Sequence, residues 1–259
     1  MDKLTAPFSY FGGKSKVGDM VWDLLGDADN FIEPFSGSLA VLLARPDHHK
    51  GHCETVNDKD LFLSNFWRAV KADPDAVAEH ADWEQGSKLI ADVNTDPYFY
   101  NCQVAGWWLW GINAWIGAGW CKTLSDQLPH LGNAGRGINK LPHLGNAGLG
   151  INRISPLRSG GQGEVRTAFI IDYMRALQNR LRDVRVCCGD WKRVVTDGAL
   201  SNGSNIGIFL DPPYVQEGRD AVYNHETTEN LHEDIIMWCK THENNPRIKI
   251  ARYRRGYFD

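Results

Sequence analysis

Asn205–Tyr214 reads NIGIFLDPPY, and this stretch decides the fold class. Ile206, Ile208, Phe209 and Leu210 form an apolar run too short for a helix. Such a run fits a strand buried on both faces, the habit of parallel sheets. Asp211-Pro212-Pro213-Tyr214 ends it, because neither proline donates a ladder hydrogen bond and each fixes its own φ. An acid, two rigid residues and an aromatic ring thus stand at the C-terminal end of a buried strand. In open α/β sheets that edge is where ligands bind.

The tetrapeptide suits one kind of substrate. Asp211 can accept a hydrogen bond from an amino group. The Pro212 carbonyl, which has no N–H neighbour in Pro213, can accept a second, and Tyr214 offers a ring face for stacking. Together they form a socket for a planar heterocycle bearing an NH2, such as adenine or cytosine. Taken alone, DPPY is equally well a strand-ending turn, so the rest of the chain has to decide.

Towards the N-terminus, Pro7–Lys14 reads PFSYFGGK, a tight glycine turn followed by a cation, with a helix expected over Ser15–Leu25. Backbone amides and Lys14 there suit an anion, although the spacing is not that of a Walker loop, and taken alone the stretch reads first as a simple turn before a helix. Asn30–Ser38, NFIEPFSGS, followed by LAVLLA, reads as strand, sharp turn and helix, with Gly37 for close passage and Ser38 as helix cap. Glu54–Asp58, ETVND, reads as a second strand ending in an acid, the position that commonly binds ribose hydroxyls.

Leu61 to about Trp83 is helical, with Pro74 opening a second helix after Asp73. Asp92–Trp120 carries Tyr98, Phe99, Tyr100, Trp107, Trp108, Trp110, Trp115 and Trp120, read chiefly as helical core. Leu128–Lys140, LPHLGNAGRGINK, is followed by Leu141–Arg153, LPHLGNAGLGINR, a tandem repeat of 13 residues. Two copies are too few for a solenoid, and their glycines and asparagines indicate loops. The repeat is either a tolerated loop expansion or a loop that reaches along a nucleic-acid groove.

Glu164–Leu181 reads as an amphipathic helix with Arg166, Arg175, Arg180 and Arg182 near its polar face. Val184–Cys188 reads as a third strand, ending in Gly189-Asp190-Trp191. After a polar stretch over Val215–Glu229 come a helix around Leu231–His242 and a strand over Arg247–Ala251. The closing RYRRGYFD does not read as a strand pair.

The composition, 42% hydrophobic and 23% charged, is ordinary for a soluble globular chain, and 259 residues can form one α/β domain or a domain with a sizeable insertion. There is no run of about 18 apolar residues and no signal-peptide core, so neither a membrane span nor secretion is expected. The six cysteines contain no CxxC pair, which points to free thiols in a cytoplasmic chain and to no metal site. The net charge of -4 is unevenly divided: -8 over residues 1–120, +7 over 121–193 and -3 over 194–259. The basic segment is either a solvated surface or a phosphate-contacting one.

In their order, PFSYFGGK, IEPFSGS, VND, a long insertion, CGDW and LDPPY resemble the Dam-type adenine-specific DNA methyltransferases of bacteria and phages, over about residues 7–250. The resemblance implies a Rossmann-like, S-adenosylmethionine-dependent methyltransferase sheet with an inserted, mainly helical target-recognition region. Residues 1–60 and 184–259 would form the catalytic domain, and residues 61–183, with the repeat at 128–153, the insertion. It implies site-specific methylation of adenine N6 in duplex DNA, in a restriction-modification or orphan setting, with double-stranded DNA as partner and no obligate protein partner. Asp211, Pro212, Pro213 and Tyr214 match the catalytic tetrapeptide. Tyr10, Lys14, Glu33, Phe35, Gly37, Asp58, Asp190 and Asp211 match the cofactor surroundings: Tyr10 and Lys14 near the cofactor, Glu33, Phe35 and Gly37 on the turn past its methionine part, Asp58 on its ribose, and Asp190 near its adenine. Members of the family usually continue past Ala251 with strands that close the sheet, so the 45 residues after Tyr214 read as a truncated or frame-altered end. Two alternatives follow: a cytosine-N4 methyltransferase, and a catalytically impaired cofactor- and DNA-binding relative.

Overall fold

The computed structural model describes residues 4–8, 10, 17–49, 53–81, 93–114, 164–213, 230–254 and 257–258. The strands are β1 (Asn30–Glu33), β2 (Cys53–Asp58), β3 (Val184–Cys188), β4 (Ile206–Leu210), β5 (Ile248–Arg254) and β6 (Tyr257–Phe258). They lie in the order β3-β2-β1-β4-β5-β6; the first five are parallel and β6 is antiparallel. From β1 the chain builds outward to β2 and β3, then returns to the other side of β1 for β4 and β5. The order therefore reverses between β1 and β4, and their C-terminal ends open the crevice in which such sheets bind ligands. This is the expected Rossmann-like α/β architecture.

β4 is buried at every position, as its apolar run requires. Phe209 faces one core, with Phe31, Val56, Val184 and Val186. Ile206, Ile208 and Leu210 face the other, with Ile32 and Ile248. The first face is covered by α1 (Gly18–Leu25), α2 (Ala40–Leu43), α3 (Leu61–Ala72), α4 (Pro74–Glu79), α5 (Cys102–Ala114) and α6 (Glu164–Leu181). The second is covered by a 3-10 turn at Trp191–Val194, α7 (Asp197–Leu200) and α8 (Leu231–His242). Asp60 caps α3 by accepting from the Phe62 and Leu63 amides, and Asp73 caps α4 ahead of Pro74, as their residue types favour.

Aromatic packing ties the first face together. Phe8 meets Phe66, Trp67 and Trp108 at centroid distances of 5.4, 5.6 and 5.0 Å. Trp107, Trp108 and Trp110 are core residues as expected, whereas Tyr98 is 89% exposed. Trp115, Trp120 and the repeat at 128–153 lie outside the described residues. β3 is an edge strand, and its outward carbonyls are all taken by cations. Lys71 Nζ donates to Val184, Arg68 Nε to Val186 and Arg193 Nη1 to Cys188. Charged side chains on a sheet edge oppose the addition of another strand.

Four expectations need correction. The first helix begins at Gly18 rather than Ser15, with Val17 as its cap. Ser38 does not cap α2: Leu39, held at a φ of 55°, occupies that position and makes no side-chain cap. Arg180 of α6 does not lie on a polar face, because it turns inward to Glu54 at 2.7 Å. The C-terminal octapeptide does form a strand pair, with Tyr253 opposite Phe258 and Arg254 opposite Tyr257.

Candidate functional site

Four acids stand at one edge of the sheet: Glu33 at the end of β1, Asp58 at the end of β2, Asp190 after β3 and Asp211 after β4. Parallel pairing produces this gathering. With Glu33 opposite Val56, Asp58 opposite Cys188 and Ile32 opposite Ile208, all four strands end on the same side. The loop from Pro34 to Leu39 crosses this edge and is held by Asp58. Asp58 Oδ2 accepts from the Gly37 amide at 2.9 Å, and Oδ1 accepts from the Asp60 amide at 3.0 Å. The Glu33 carboxyl faces the backbone of α2 at Leu42, which opposes the effect of burial on its proton affinity.

Both carboxyls are strained electrostatically. Burial, opposed by the amides of Asp60 and Gly37, raises the Asp58 pKa to about 6. Glu33, only 2% exposed, is pushed well above the ordinary glutamate range, first by burial and then by the charge of Asp211. Its Oε2 is buried with no hydrogen-bond partner among the described residues. Perturbed acids clustered in a crevice are characteristic of functional sites.

Gly37 has a φ of +48°, which favours glycine, and a Cβ there would lie 3.2 Å from the Tyr10 ring. The carbonyl of Gly37 accepts from Trp67 Nε1 at 3.1 Å. Tyr10, Gly37 and Asp58 are thus brought together, although 21 residues separate Gly37 from Asp58. Phe35 lies against Trp191, the residue after Asp190, with ring centroids 6.2 Å apart. Asp190 itself is exposed and accepts from the Lys192 amide, capping the 3-10 turn. Asp211, Pro212 and Pro213 follow β4 directly, with Pro212 buried. Lys14 and Tyr214 lie outside the described residues.

Sequence reading missed two residues that hold this edge. Asn57, 1% exposed, donates from Nδ2 to both the Pro34 and Gly189 carbonyls at 3.0 Å, tying the loop after β1 to the loop after β3. A polar residue inside an otherwise buried strand was the available signal, but Asp58 beside it drew the reading. His232 of α8 reaches the Pro213 carbonyl at 3.1 Å. No local pattern marks it, because its partner is 19 residues away.

Residues 10–114 match the family model described as D12 class N6 adenine-specific DNA methyltransferase. A comparison with curated proteins gave no match. The matched stretch contains β1, the loop over Gly37, β2 with Asp58, and the helices as far as α5, whereas β4 and Asp211 lie beyond it. Acids gathered at the switch point of a parallel sheet, with the matched stretch forming half of that edge, lead to one assignment: over residues 10–114 the chain carries a D12 class N6 adenine-specific DNA methyltransferase domain.

Proposed function

We propose that the protein transfers a methyl group from S-adenosylmethionine to the exocyclic amine of an adenine rotated out of duplex DNA. The observation that carries this reading is the placement of Asp211 and Pro212 at the end of β4, beside Glu33 at the end of β1, where the strand order reverses. The cofactor would take the neighbouring half of the edge. Two observations support this: Gly37 lets the turn pass close to the Tyr10 ring, where a Cβ would come within 3.2 Å, and among the described residues the buried Glu33 Oε2 has no hydrogen-bond partner. Tyr10, Lys14, Glu33, Phe35, Gly37, Asp58, Asp190 and Asp211 are the residues that would hold it. When bound, it supplies an electrophilic methyl group.

The chain's own part is to present the amine. Rotating a base out of the duplex costs a few kcal/mol, and stacking on Tyr214 returns about 1–3 kcal/mol. Asp211 and the Pro212 carbonyl accept the amine hydrogens, draw the nitrogen lone pair out of ring conjugation and stabilise the positive charge that develops on nitrogen. Residues 61–183 serve as the DNA-recognition region. Their helices α3, α5 and α6 are anchored on the sheet, and the 13-residue repeat lies between α5 and α6.

The test is single-turnover transfer of labelled methyl to duplex DNA, with the product base identified by mass spectrometry. Wild type is expected to label adenine N6. Asp211→Ala is expected to lower the rate by about 10²–10³-fold, the scale of one preorganised electrostatic contact, while cofactor and DNA binding persist in some measure. Label on cytosine, or a fully active Asp211→Ala variant, overturns the reading.

A further inference from the structure

His232 is the second residue of α8, and its ring returns to the ligand edge: Nε2 lies 3.1 Å from the carbonyl oxygen of Pro213. A carbonyl oxygen only accepts, so Nε2 carries the proton in this contact. The ring is partly buried.

The contact falls on a segment with few other backbone handles. Pro212 and Pro213 have no N–H, so at these two positions the backbone can be held only through its carbonyls. The proline rings fix φ, and Pro213 also restricts the residue before it. The main remaining freedom at Pro213 is ψ, which sets the direction of its carbonyl and the plane of the peptide bond into residue 214. A single donor at that carbonyl removes this freedom.

The donor stands on a fixed support. Ile235 of α8 is buried in the second core, and Trp238 packs edge-on against Trp191 at 5.9 Å. Asp234 pairs with Lys192 at 2.6 Å, on the same turn that follows Asp190. Through α8, the segment after β4 is therefore coupled to the loop after β3.

We propose that His232 is a positioning residue of the methyl-transfer centre. By holding the Pro213 carbonyl, it anchors the end of the Pro212-Pro213 pair, whose fixed φ angles carry that anchor back to the Pro212 carbonyl and Asp211. This rests on the reading of Asp211–Tyr214 as that centre. A displacement of about 1 Å in such a centre can cost about 10²-fold in rate.

The test compares His232→Phe, which keeps a ring but removes the donor, with His232→Gln, which keeps an N–H. Asp211→Ala is measured in parallel. His232→Phe is expected to lower the single-turnover rate by about 10–100-fold. Its affinity for S-adenosylmethionine by calorimetry should stay within about twofold of wild type and its Tm should be unchanged, because the contact acts on aim rather than on binding or folding. His232→Gln is expected to recover most of the rate. A His232→Phe rate equal to wild type, a Gln variant no faster than Phe, or a rate loss matched by loss of Tm each overturns the proposal. If Asp211→Ala keeps full activity, the reading of the tetrapeptide has failed instead, and the two failures are told apart.

Discussion

At the scale of single residues, the ligand edge is held by acids whose protons are bound more tightly in the folded chain than in the unfolded one. Asp58 is raised from 3.8 to about 6, chiefly by burial, and Glu33 shifts in the same direction for the same first reason. A carboxyl raised in this way contributes stability that is fully present below its unfolded pKa and is lost as the pH rises through its folded pKa. The free energy of unfolding is therefore expected to fall between about pH 4 and pH 6 on account of Asp58, and Glu33 acts in the same direction. Chemical denaturation at a series of pH values checks this. Asp58→Asn should flatten the dependence around pH 4–6 whatever its absolute stability, and an unchanged slope would show that Asp58 is not the source. Asp58 was visible in the sequence as an acid ending a strand. Its two bonds to the Gly37 and Asp60 amides were not, because they depend on how the loop after β1 folds over β2.

At the scale of elements, one carboxylate joins three pieces of the fold. Glu54 of β2 accepts from Arg45, just beyond α2, at 3.0 Å and from Arg180 of α6 at 2.7 and 2.8 Å. Arg45 also donates to the Ala28 carbonyl, and its guanidinium lies 4.8 Å from the Trp22 ring centroid of α1. Removing one partner of a buried ion cluster leaves the others uncompensated, at a cost of about 3–5 kcal/mol. Glu54→Ala is accordingly expected to lose about that much in urea denaturation, far more than an exposed pair such as Arg182 with Asp183, where a substitution should cost less than about 1 kcal/mol. The extents of β3, β4, α6 and α8 were readable because apolar spacing and flanking breakers agree there. The start of α2 was not, because Leu39 in a left-handed conformation, rather than Ser38, occupies its N-cap position.

For the whole molecule, the fold spends part of the basic charge that the sequence concentrates in residues 121–193. Arg175 pairs with Asp75 at 2.7 Å, Arg180 with Glu54, Lys192 with Asp234, and Arg193 donates to the Cys188 carbonyl. The other cations of that segment include Arg136, Lys140 and Arg153 of the repeat, which lie outside the described residues. DNA affinity is expected to fall with salt by about 0.9 log units per decade for each phosphate contact. Deleting residues 141–153 should lessen that slope while leaving cofactor affinity unchanged, and Arg175→Ala should leave the slope as it is. Filter binding or fluorescence anisotropy across a salt series distinguishes these outcomes.

The sequence by itself determined the fold class, because a strand buried on both faces and stopped by two prolines has few homes other than a parallel sheet. It also determined which residue types stand at the ends of β1, β2, β3 and β4, since strand ends are marked locally by breakers and acids. Only the tertiary structure decided that these ends meet at one edge, that β1 and β4 flank the reversal in strand order, and that Asn57 and His232 hold the edge in place. The physical reason is range. Periodicity and turn chemistry act over a few residues, whereas the contacts that assemble the site run from Gly37 to Asp58, from Asn57 to Gly189 and from Pro213 to His232, and exist only once the sheet has closed its register.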